Sequence, residues 1–184
     1  MAHFDTRINT PGALDNAGSV AVLLALAENL CKVALSCDLE FVAFDGEEYL
    51  PIGDDEYVRR AGEASFAGVA LAINMDGIGY IGGQGTIAQF NLSPELAARV
   101  SEIIRRFPAL QWVEPRPQSN HSTFAFRGVP ALAFSSDGAW SLAHYPTDAV
   151  DIVSVDSLAE IVAVVREMAR LLTKQVEMPR TPTF

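Results

Sequence analysis

Residues 39–48 read Leu-Glu-Phe-Val-Ala-Phe-Asp-Gly-Glu-Glu, and this stretch decides the fold class. Leu39 to Phe44 is a short, nearly continuous apolar run of the kind expected for a strand covered on both faces, and it ends in Asp45-Gly46-Glu47-Glu48. Val69 to Met75, reading VALAINM, repeats the pattern and runs into Asp76-Gly77. Acidic residues therefore collect just beyond the carboxyl ends of two expected parallel strands, the edge at which open α/β sheets bind ligands.

Helical patterns alternate with these strands. From Ala17 to Lys32 the residues Val20, Leu23, Leu24, Ala27 and Leu30 recur at helical spacing, behind Asp15 and Asn16, either of which can cap the N-terminus. A weaker strand is expected over Thr86–Phe90, then a helix over Pro94–Phe107 with Ser93 as its cap and proline at the first helical position. Gln111–Val113 reads as a short strand, Asn120–Phe126 as a helical turn and Pro130–Phe134 as a buried strand. The final helix is expected over Asp156–Lys174, with Leu158, Ile161, Val162, Val165, Met168 and Leu172 on one side. Together these imply an α/β protein, a three-layer α/β/α domain with a mostly parallel central sheet. It spans residues 1–184 as one unit, with 175–184 as a loose tail.

The 13 Lys and Arg residues against 23 Asp and Glu give a net charge of −10, with no basic run. That argues against nucleic acid or an anionic membrane as partner, since both are held by Lys and Arg. A cation fits better. The absence of an 18-residue apolar run and of a signal-peptide pattern makes a soluble, cytoplasmic protein the expectation. Cys31 and Cys37 each sit beside apolar sequence and are expected as buried free thiols.

Only three histidines occur, His3, His121 and His144. Along an extended segment His3 and Asp5 point to the same side, so Asp5 can accept the imidazole N–H and turn the ring toward a metal. Asp15 stands at the mouth of a helix, where the dipole favours a carboxylate even without further function. Glu47 and Glu48 repel each other unless something positive sits beside them, the plainer alternative being a solvated loop. Asp76 carries the same ambiguity, and His144 lies in the proline-containing loop Ala-His-Tyr-Pro-Thr-Asp. In order, His, Asp, Glu-Glu, Asp and His supply the donors of a dinuclear zinc site. Five ligands suffice if one bridges, and one glutamate is left as a base.

His3-Phe4-Asp5, Pro11-Gly-Ala-Leu-Asp15-Asn16-Ala-Gly18, Gly46-Glu47-Glu48, Asn74-Met-Asp76-Gly-Ile-Gly79 and His144 resemble the ordered motifs of co-catalytic zinc exopeptidases of metallopeptidase family 28, over most of the chain. The resemblance implies two zinc ions per chain. His3 and Asp76 would complete one, Glu48 and His144 the other, and Asp15 would bridge. It also implies Glu47 as general base, Asp5 as the partner behind His3, and a cis peptide bond after Asp15. The implied activity is that of an aminopeptidase acting on peptides or aminoacyl compounds. Several features depart from the family pattern. Only Met1-Ala2 precede the first histidine, so the leading strands of relatives are missing and the expected open sheet edge invites a homo-oligomer. Ser119-Asn120-His121 stands where many relatives read Ser-Asp-His, and Ala143 replaces a tyrosine before His144, with Tyr145 following instead. His121 is therefore read as a structural or substrate-pocket residue rather than a ligand, and Tyr145 as a candidate for the substrate pocket. Tyr49 to Glu56 differs from the usual glycine-rich turn, and Asp54, Asp55 and Glu56 read as a helix start. Two other readings keep the fold. A single-zinc glutaminyl-cyclase-like acyltransferase is opposed by the presence of His3, and a non-catalytic peptidase-derived binding domain is opposed by the full set of ligands.

Overall fold

Two ladders of strands make the sheet. In the computed structural model, which describes residues 1–35, 37–116 and 118–173, β1 (Ala2–His3) pairs in parallel with β2 (Ala43–Phe44). The second ladder contains β3 (Ala72–Met75), β4 (Gly85–Phe90), β5 (Leu110–Trp112) and β6 (Ala131–Ser136), ordered β3-β6-β4-β5. β3 and β6 are parallel, β4 and β5 are parallel, and β4 is antiparallel to β6. The Met1 amino group donates to Ile73 O at 2.7 Å and Met75 N donates to Met1 O at 3.0 Å. That pair of slanted bonds is the parallel ladder pattern, and it joins the two sets of strands edge to edge. The carboxyl ends of β1, β2, β3 and β6 consequently share one rim.

Side-chain alternation along the strands divides the core into two layers. On one face α1 (Gly18–Leu30), α3 (Pro94–Ile104) and α5 (Val155–Thr173) bury Val22, Leu26, Val100, Ile103, Ile161 and Met168 against Met75, Ile87, Leu132 and Phe134. On the other, α2 (Ile52–Ala61), a 3-10 turn (Glu63–Gly68) and α4 (His121–Ala125) cover Ala72 and Ala131. Tyr57, Phe66 and Phe124 meet there with ring centroids 5.4–6.1 Å apart, and Phe44 joins through Tyr57 at 5.6 Å. These tilted and edge-on arrangements suit the ring quadrupoles. The result is the mostly parallel three-layer α/β/α arrangement that the sequence implies.

Four local expectations are corrected. The apolar run 39–44 yields only Ala43–Phe44 as strand, because β2 is an edge strand: Phe44 is buried, whereas Leu39 and Phe41 are exposed. In α1 the buried stripe is Val22, Leu23, Leu26 and Leu30, and Leu24, about 100° away from Leu23 around the helix, is 66% exposed. Neither Asp15 nor Asn16 caps α1, whose first turn has no side-chain cap; both lie in a broken turn over Ala13–Ala17 that precedes it. Cys31 is exposed and Cys37 partly exposed, since the chain leaves the core once α1 ends at Leu30. Ser93 does cap α3, accepting from Leu96 N at 3.2 Å. The Leu172 side chain, Lys174 and the tail 175–184 lie outside the described residues. No described helix is long and apolar enough to cross a membrane.

Candidate metal centre

The shared rim gathers the chemistry. His3 is the last residue of β1, Glu47 and Glu48 follow β2, and Asp76 follows β3. Asp15 comes from the broken turn before α1, and His144 from the loop after a 3-10 turn (Ala139–Ser141) that follows β6. His3 Nε2 stands 3.1 Å from Asp15 Oδ1 and 3.4 Å from Asp76 Oδ1. His144 Nε2 stands 3.2 Å from Asp15 Oδ2 and 2.9 Å from Glu48 Oε2. Asp15 thus presents one oxygen to each histidine. The five residues form two triads, His3/Asp15/Asp76 and Asp15/Glu48/His144, joined at that carboxylate.

These donors fit a cation better than they fit one another. His3 Nε2, Asp15 Oδ1, Glu48 Oε1 and Asp76 Oδ1 are buried and have no hydrogen-bond partner among the described residues. Buried polar atoms left so are costly, and three of them, His3 Nε2, Asp15 Oδ1 and Asp76 Oδ1, lie together and need a common partner. Donors around a tetrahedral zinc with bonds of about 2.0–2.1 Å are about 3.3 Å apart, close to the separations above. Three ligand carboxylates and Glu47 would also balance the charge of two divalent ions.

Surrounding groups fix the donors. His3 Nδ1 lies 3.2 Å from Asp5 O and 3.3 Å from Asp5 Oδ1, so its N–H is engaged there and Nε2 is left for the centre. The Asp5 carboxylate also accepts from Glu47 N at 3.2 Å and Glu48 N at 3.1 Å, tying the two glutamates to the strand that carries His3. Asn16 holds the other side of the Asp15 turn, donating to Met75 O at 3.2 Å and accepting from Gly77 N at 3.3 Å. The Asp15–Asn16 peptide bond is cis. His144 has a φ of 69°, a left-handed conformation that costs a non-glycine residue about 1–2 kcal/mol.

Asp148 is a residue the sequence reading gave no role. It is fully buried, and its carboxylate accepts Leu14 N at 2.5 Å and Asp15 N at 3.0 Å. Asp148→Ala leaves two buried amides without a partner, at about 1–3 kcal/mol for each. Urea denaturation of the metal-free variant is expected to show a loss of about 2–6 kcal/mol by that reasoning; a loss under about 1 kcal/mol would mean that water replaces the carboxylate.

Without a metal, protons take the cation's place. Burial would lower the His3 pKa, but the Asp15 and Asp76 carboxylates outweigh it and raise it to about 11. Glu47 is pushed up to about 7 by burial and then by the Asp76 charge, and Asp15 and Glu48 are raised for the same kind of reason. From pH 4.5 to 7 the folded chain therefore holds the Glu47 proton that the unfolded chain has released. From 6.5 to 11 it likewise holds the His3 proton. Stability falls with rising pH wherever the native state binds more protons. The buried Met1 amine, whose pKa burial lowers to about 5, acts in the opposite sense between pH 5 and 8, but Glu47 and His3 together outweigh it. The chelated protein is therefore expected to melt at a lower temperature at pH 9 than at pH 5, and added zinc should stabilise it more at pH 9. Thermal melts with and without chelator test this, and an opposite slope would contradict it.

Comparison with known proteins gives the site its context. The model of peptidase family M28 matches residues 1–173. The chain belongs to peptidase family M28. Aminopeptidase YwaD of Bacillus subtilis is 32% identical over 78 residues, which are 42% of this chain and 17% of that protein. The fold matches BSAP, a zinc aminopeptidase from Bacillus subtilis, with a TM-score of 0.81 at 20% identity, covering 97% of this chain and 46% of that one. It also matches Porphyromonas gingivalis glutaminyl cyclase, with a TM-score of 0.71 at 23% identity, covering 94% and 70%. The chain thus spans less than half the length of both Bacillus relatives.

Two M28-chain residues named as substrate-pocket candidates stand outside the two triads. His121 is buried, with Nε2 2.9 Å from Arg116 O and its ring 4.7 Å from that of Phe90; its Nδ1 has no partner among the described residues. Burial lowers its pKa. Tyr145 is 58% exposed beside His144. Asp54 lies in the first turn of α2, as the helix-start reading expects, and is buried there, accepting from Asn120 Nδ2 at 2.7 Å and Thr123 Oγ1 at 2.5 Å, which pins α2 to α4. Burial raises its pKa in spite of those bonds.

Proposed function

We propose that this M28 chain is the catalytic domain of a zinc-dependent aminopeptidase that removes N-terminal residues from peptides. The observation that carries the reading is Asp15, whose two oxygens face two separate histidine-carboxylate pairs. His3, Asp15 and Asp76 would hold one zinc, and Asp15, Glu48 and His144 the other. Zinc bound there supplies Lewis acidity toward a carbonyl oxygen and makes water more acidic. Glu47 lies outside both triads, half-buried beside them, and its backbone N–H is fixed by Asp5. Its carboxylate takes a proton from the attacking water and delivers it to the leaving nitrogen. Free carboxylate oxygens of Glu47 or Asp76, or of the nearby Asp45, suit the α-ammonium group of a peptide's first residue. That preference separates an aminopeptidase from an endopeptidase.

The test is hydrolysis of aminoacyl p-nitroanilides by zinc-equilibrated protein, beside the same compounds N-acetylated. The free-amine substrates are expected to react at least a hundredfold faster. Equal rates, or no hydrolysis of either, would overturn the reading. Release of ammonia from an N-terminal glutaminyl peptide, without hydrolysis, would point instead to a cyclase.

A further inference from the structure

One departure from the family pattern, the segment that starts at Tyr49, meets Arg7 at the rim of the centre. Arg7 lies in the loop after β1, and Tyr49 opens the unusual segment after Glu48. The Arg7 guanidinium sits over the Tyr49 ring, 4.7 Å from its centroid, and the Tyr49 hydroxyl accepts from Ile8 N at 2.7 Å. Arg7 Nε donates to Glu48 Oε2 at 3.1 Å, the same oxygen that faces His144. The guanidinium is therefore held on two sides. Its hydrogen bonds to described residues use Nε alone, and the side chain is 40% exposed, so the fork of terminal nitrogens is presented to solvent at the edge of an otherwise acidic cleft.

We propose that Arg7 is a specificity-determining residue that binds a substrate carboxylate, and that the enzyme prefers dipeptides, whose terminal carboxylate lies one residue beyond the scissile bond. The inference rests on the aminopeptidase reading. A residue of extended chain spans about 3.3–3.6 Å. Arg7 is one hydrogen bond from Glu48, a proposed ligand at the scissile carbonyl, so the carboxylate that follows the next Cα comes within its reach. Arginine remains charged at any working pH and matches a carboxylate with two parallel N–H donors. Because Tyr49 and Glu48 already order the side chain, little rotamer freedom is lost when the substrate binds. A longer peptide would place a neutral amide opposite the guanidinium and forgo that pairing.

The experiment compares Leu-Gly, Leu-Gly-amide and Leu-Asp-amide on zinc-equilibrated protein. Leu-Gly is expected to show kcat/KM about tenfold above its amide, a typical effect of one charge-assisted pair, carried mostly by KM. Arg7→Gln should bring the Leu-Gly to amide ratio close to one, and Arg7→Lys should keep part of it; the ratio within each protein cancels any general loss, and zinc content is read alongside. Calorimetric binding of the same peptides to Glu47→Gln protein gives the ratio without turnover, and the same tenfold preference is expected. Equal handling of Leu-Gly and its amide would overturn the role of Arg7 while leaving the aminopeptidase reading intact. A gain confined to Leu-Asp-amide would overturn the dipeptide assignment, and failure to bind or cleave any of the three would overturn both.

Discussion

Glu47→Gln is expected to lower kcat by about 10²–10⁴-fold, the usual contribution of a positioned general base, with zinc content unchanged. The substitution keeps the side chain's size and its backbone bond to Asp5, and removes only the capacity to accept a proton. Glu47 belongs to neither triad, so the five donors and their separations are left as they are. Single-turnover hydrolysis of an aminoacyl p-nitroanilide, with elemental analysis of the same sample, separates the two quantities. Undiminished activity would remove Glu47 as the base, and a loss of zinc would make it a ligand.

Asp15→Ala is expected to cost the most in metal binding, because it takes a donor from both triads at once. Zinc affinity at each position should fall by at least about a hundredfold, more than removal of an outer hydrogen-bond partner costs. Ligand binding to the native state raises apparent stability through mass action, so the zinc-induced rise in melting temperature should vanish. His144→Ala, which takes a donor from one triad only, should keep part of that rise. Equal losses in the two variants would show that Asp15 is not shared.

The residues that converge at the rim were legible in the sequence because each lies beside a local signal. Two apolar runs end in acid, His3 stands two residues before Asp5, and the ring of motifs keeps a fixed order. Their convergence follows from parallel strands, whose carboxyl ends lie on one rim whichever order the strands take. What failed was anything that depends on which residues face a neighbour. The run 39–44 carries the composition of a central strand, yet among the described residues it lies at an edge of the sheet. Asp148 and Asp15 meet across 133 residues of chain, and Arg7 and Glu48 across 41. Such contacts leave no periodicity to read, and the sequence Tyr-Pro-Thr-Asp gives no sign that its last residue will hold the turn of Asp15. Asp54 was legible as a helix-start acid, but its burial was not, since Asn120 and Thr123 lie 66 and 69 residues away in the chain.

The central claim is a dinuclear centre bridged by Asp15, and anomalous diffraction at the zinc edge from crystals of zinc-equilibrated protein tests it most directly. Two peaks roughly 3.5–4 Å apart are expected, one beside His3 and Asp76 and the other beside Glu48 and His144, with the Asp15 carboxylate between them. A single peak, or two peaks that do not share Asp15, would contradict it.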